Sequence, residues 1–214
     1  MTLAELVQSD APIDRIGQWL DSLDHAARWA AATTLGRAQQ RALYDRAAQA
    51  PAIDLQHFVA PHVPDTTEVI HHGWNTLPLP GALRRFQKRF CRPAGPGGRL
   101  FGYNEGLTRG IVGPGHFVAV LTLGGPEGSP PAGSPGDGAV WRERGAVVVD
   151  YFQVADGPIP PAWPAAVPNS RGLQRLVYFE TRDFMRKVSH HVSIGAAYKV
   201  EKPLGHFFLL VRED

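Results

Sequence analysis

The stretch Leu100–Gly124, LFGYNEGLTRGIVGPGHFVAVLTLG, sets Asn104, Glu105, Arg109 and His116 beside strongly apolar segments. A carboxylate, an imidazole and a guanidinium in one place can move a proton and hold an anion. Asp150 joins them as a candidate, because on a strand it shares its face with Ala146, Val148, Phe152 and Val154. A carboxylate on such a face must be ion-paired, hydrogen-bonded or protonated, since burying it alone is costly. As a structural pair it would use Arg109 or Arg171. As a functional group it would open to solvent beside Tyr151, His116 and Glu105. The sequence therefore nominates Glu105, His116 and Asp150 for acid–base chemistry and Asn104, Arg109 and Tyr151 for binding.

Other chemistries find little support. The nine histidines include the adjacent pairs His71-His72 and His190-His191. On a strand, neighbours point to opposite faces, so neither pair supplies two ligands to one ion. Neither H-x-x-x-H, H-E-x-x-H nor C-x-x-C occurs, and no metal or cofactor is expected. Gly110–Gly115 lacks the Lys-Ser/Thr of a phosphate loop, and a strand follows it where a nucleotide fold would place a helix. Cys91 is the single cysteine, which excludes an intramolecular disulfide and leaves at most a weak nucleophile.

A chain of 214 residues, 43% hydrophobic, can bury a substantial core. Its formal charge of +2 supplies no long-range field for nucleic acid. The start of the chain has no basic and apolar leader, and no apolar run approaches the roughly 20 residues that span a bilayer. These features predict a cytoplasmic protein.

The elements that must position the candidates divide into two expected units. Residues 1–50 read as a helical appendage. Leu3, Leu6 and Val7 form a short apolar face, and Ile13, Ile16, Leu20 and Leu23 repeat at helical spacing after Asp10, a candidate N-cap, and Pro12 in the first turn. Asp24 caps a next helix to Leu35, and Arg37–Ala50 make another before Pro51. Residues 51–214 read as an antiparallel α+β unit with a curved sheet of about six strands: Thr67–His72, Leu100–Asn104, His116–Leu123, Ala146–Val154, Val192–Val200 and His206–Val211. Two helices interrupt them. One is basic and amphipathic over 82–92, with Leu83, Phe86 and Phe90 on its apolar side; the other, capped by Asn169 or Ser170, runs to about Ser189 and covers the sheet. The Gly/Pro-rich 124–138 reads as a flexible hairpin loop.

This pattern points first to a binder of a small apolar or amphipathic molecule, held in an apolar cavity with polar anchors. An enzyme doing hydrolase- or isomerase-like acid–base chemistry would use the same cavity. A structural protein would instead associate as a homo-oligomer through its N-terminal helices. The basic helix 82–92 would also suit peripheral contact with an anionic membrane.

Overall fold

The computed structural model describes residues 1–95, 97–106, 112–122 and 138–213. Four helices come first: α1 (Leu3–Gln8), α2 (Ile13–Asp21), α3 (His25–Thr33) and α4 (Arg37–Arg46). Thr2 and Glu5 close a reciprocal capping box on α1, and the Asp24 carboxylate accepts from the Ala27 amide at 2.8 Å to start α3. Asp10 does not cap α2. It takes a positive φ of 54° and pairs with Arg46 at 2.6 Å, which leaves Pro12 as an N-cap without a side-chain acceptor.

The sheet is antiparallel, as expected, but it is a closed barrel of eight strands. These are β1 (Val69–Asn75), β2 (Arg85–Cys91), β3 (Arg99–Gly106), β4 (Gly115–Leu121), β5 (Val147–Asp150), β6 (Thr181–Lys187), β7 (Val192–Lys199) and β8 (Lys202–Arg212). Each pairs with the next, and β1 pairs with β8. The two expected helices account for the miscount. Residues 85–91 form β2, and 181–187 form β6; only the single turn Gln174–Val177 is helical there, with Val177 47% exposed. Asn169 caps nothing, and instead its side chain bridges the backbone of His116 and Tyr151. The sheet is covered by other elements.

Two further boundaries move. Gly138–Arg144 is a helix, α5, ahead of β5, and the turn Gln174–Val177 is α6. The proposed flexible loop at 124–138 otherwise lies outside the described residues. The β7–β8 hairpin turns on Val200 and Glu201, both at positive φ (45° and 64°), rather than on the longer Glu201–Gly205 link.

Alternation sorts the barrel's side chains. Phe90, Leu100, Phe117, Val149, Met185 and Leu210 fill the interior, and Ile53 and Phe58, from the segment ahead of β1, close one end. The N-terminal helices press Leu6, Ile16, Leu20 and Leu43 onto the outward Ile194, Leu209 and Val211 of β7 and β8. Trp163 covers Tyr103 and Val118, while Trp141 of α5 covers Val148 and Phe184.

Three interior aromatic rings lie flat on the glycine directly across the ladder: Phe86 on Gly73, Phe117 on Gly102 and Phe208 on Gly195. A Cβ on Gly102 would stand 2.3 Å from the Phe117 ring and 2.4 Å from the Arg89 carbonyl oxygen, and backbone cannot yield cheaply. Gly102→Ala should destabilise by about 3 kcal/mol, lowering the melting temperature by roughly 6–12 °C. Gly97→Ala, whose Cβ meets nothing closer than 3.8 Å, is the control. Equal melting temperatures for the two variants would contradict this packing.

Candidate functional site: a buried lysine beneath a barrel cavity

The plugged end leaves the opposite end of the barrel less filled. There a cavity of about 360 Å³ is walled by Phe86, Tyr178, Phe207 and Phe208, and the apolar Leu79, Leu83, Val177 and Leu204 stand exposed around its mouth. Lys88 lines it from β2, Asp183 from β6 and Tyr151 from the residue after β5.

Lys88 is only 1% exposed. Its Nζ donates to Asp183 Oδ2 at 2.9 Å and to the Tyr151 hydroxyl. Four rings surround the ammonium group, with centroids at 4.9 Å (Tyr151), 5.0 Å (Phe208), 5.1 Å (Phe117) and 5.9 Å (Phe86). Burial pushes the Lys88 pKa down, and the Asp183 carboxylate opposes that shift only in part. Burial likewise holds the Tyr151 phenol well above its ordinary value, reinforced by the Asp183 charge, so it stays protonated. Tyr178 stacks on Tyr151 at 5.3 Å and 17°, and burial raises its phenol to about 12.

The residues nominated from sequence separate. Tyr151 and Asn104 line the cavity. Glu105, His116 and Asp150 occupy the outer faces of β3, β4 and β5, each among its own partners. Glu105 meets Arg89 at 2.8 Å. His116 is clamped at its backbone by Asn169, and burial lowers its pKa to about 4, against a hydrogen bond to the Ala165 backbone. Asp150 is fully buried against Arg182 at 3.2 Å, with the Phe152 amide and Gln153 side chain donating to it. Arg109 lies outside the described residues. Cys91 faces outward beneath Trp163, its thiol pushed up to about 12 by burial.

Lys88 and Asp183 escaped the sequence reading because both segments were read as helices. The signal that exposes them is alternation: Phe86-x-Lys88-x-Phe90 and Thr181-x-Asp183-x-Met185 each put one charge on an apolar strand face. The four residues Leu83, Phe86, Lys88 and Phe90 also show why no amphipathic helix forms: Phe90 and Lys88 are buried inside the barrel.

Among the described residues, no three His, Cys, Asp or Glu side chains gather as an ion would require, and no helix is long and apolar enough to cross a membrane. No family model, curated protein or solved structure matches the chain.

Proposed function

We propose that the protein binds a small apolar or amphipathic molecule inside its barrel, with the polar end of the ligand directed at Lys88, Tyr151 and Asn104. The observation that carries this reading is a charged pair, Lys88–Asp183, facing an apolar cavity at one end of the barrel. An apolar pair of similar volume would stabilise a purely structural barrel as well or better. Eight strands enclose an interior that side chains can fill or that can hold one small ligand, and here filling stops short at one end. The volume lies at the low end of the roughly 300–1,000 Å³ typical of small-molecule sites, which favours a compact ligand over a long-chain lipid.

The test is binding of 2-naphthalenemethanol, followed by saturation-transfer NMR. Ala197 sits on the cavity wall opposite Asp183 in the ladder. Ala197→Phe should fill the space and weaken binding by about tenfold, a loss of about 1.4 kcal/mol. Val177→Arg, at the exposed rim, should weaken it without touching the core. Unchanged affinity in both folded variants would place the ligand elsewhere.

A further inference from the structure

We propose that Lys88 captures an apolar aldehyde or ketone covalently, as an iminium ion formed within the barrel cavity, with Asp183 as proton carrier and Tyr151 as donor to the carbonyl oxygen. The inference rests on the cavity reading above and names its ligand class.

Cation usage in the chain gives the first support. Of 22 basic side chains only Lys88, Lys187, Lys199 and Lys202 are lysines, and Lys88 is the one buried in the barrel. Arginine serves nearly everywhere else, including the buried pair with Asp150. An arginine could pair with Asp183 too, but it cannot lose its proton and attack a carbonyl carbon. A lysine in apolar surroundings can, because desolvation disfavours the ammonium form.

The neighbours match the steps. Asp183, 2.9 Å from Nζ, takes one proton and frees the nitrogen lone pair. Nζ then adds to the carbonyl carbon. The carbonyl oxygen displaces Nζ from beside the Tyr151 hydroxyl, which had accepted from Nζ and now donates its own O–H to that oxygen, stabilising the developing oxyanion. A second amine proton moves to this oxygen, giving a neutral carbinolamine. Protonated Asp183 returns its proton to the new hydroxyl, water departs, and a C=N bond replaces the C–O bond. The sum is ammonium plus carbonyl giving iminium plus water, with no net proton change and no oxidant or reductant. Asp183 remains the counter-ion at the end as at the start. The aromatic walls exclude the bulk water that would hydrolyse the product.

The experiment incubates the full chain with 2-naphthaldehyde and sodium cyanoborohydride at pH 7, then reads intact mass and maps the modified peptide. One naphthylmethyl group on Lys88 is expected. Labelling there should be several times faster than on Lys187, Lys199 or Lys202, because burial disfavours the ammonium form of Lys88 and its neighbours sit at the reacting carbonyl. The adduct should be lost in Lys88→Met, and mapping of the wild-type protein keeps the result decisive if that variant fails to fold. Labelling of Lys199 and Lys202 equal to or faster than Lys88 would overturn the inference. Absence of a Lys88 adduct while 2-naphthalenemethanol still binds would also overturn it, leaving the cavity reading intact. Failure of both molecules to bind would overturn the two together.

Discussion

Arg182→Met should destabilise the fold by about 3–5 kcal/mol, because it strands the Asp150 carboxylate without its counter-charge. Asp150 is entirely inaccessible on the outer face of β5, and the two neutral donors that remain, the Phe152 amide and the Gln153 amide group, supply no positive charge. Arg182 also reaches Glu201 at 2.9 Å and lies over the Phe152 ring at 4.0 Å, but Glu201 keeps its pair with Arg144 and the Trp141 indole, so the stranded charge is that of Asp150. Urea unfolding of the single variants and of Arg182→Met/Asp150→Asn separates these contributions. The double variant should recover a substantial part of the loss. A single-variant loss below about 1 kcal/mol would mean that Asp150 is solvated after all.

The second large effect is acid sensitivity. His71 donates from Nε2 to the Phe58 carbonyl at 3.0 Å, deep in the barrel, and burial pulls its pKa down to about 3. Burial lowers His57 well below its usual value, helped by the neighbouring Arg212 charge, and burial lowers His116 to about 4. Each ring is neutral when folded, whereas in the unfolded chain it takes up a proton near pH 6.5. The unfolded state therefore binds more protons below that pH, and stability falls as pH drops. The loss is about 1.4 kcal/mol per pH unit per ring, continuing for His71 to about pH 3 and for His116 to about pH 4. By pH 5 His71 and His116 have each removed about 2 kcal/mol, and His57 adds to the loss in the same direction, a large share of the stability of an ordinary domain. His71→Gln keeps a donor for Phe58 but does not titrate. Unfolding free energies measured from pH 7.5 to 5 should show its slope reduced by about 1.4 kcal/mol per pH unit. An unchanged slope would mean that His71 protonates without unfolding the barrel.

What the sequence could reveal depended on whether two periodicities can be told apart. A spacing of four is close to one helical turn and is also two full strand repeats. Phe86 and Phe90 share a face under either reading, as do Arg182 and Arg186. The readings diverge only at the residue midway. A helix turns Lys88 and Phe184 away from those faces; a strand keeps them there, and the strand is what forms. His116–Leu121 was less ambiguous, since a short apolar run holding Phe117, Val118 and Val120 and entered from Gly113-Pro114-Gly115 suits a strand buried on both faces. The N-terminal helices were legible for a similar reason: Ile13, Ile16 and Leu20 combine steps of three and four, which no strand face accommodates. Asp150 was legible as a buried carboxylate, and its partner was not. Arg182 lies 32 positions away in sequence, and only the β5–β6 register brings it directly opposite.

Ring closure also sets an order on synthesis. β8 is hydrogen-bonded to β7 and to β1, so until residues 202–212 have left the ribosome, β1 and β7 each hold an unpaired row of amides and carbonyls. A nascent chain with seven strands is an open meander with two sticky edges, able to pair with a neighbouring copy. The four helices that precede the strands wait as well, because much of the apolar surface that receives them belongs to β7 and β8. Residues 3–46 thus acquire their docking face only after residues 192–212 have followed them. During that interval Leu6, Ile16 and Leu20 have only one another and the other helices to pack on, not the strand residues that bury them in the closed barrel.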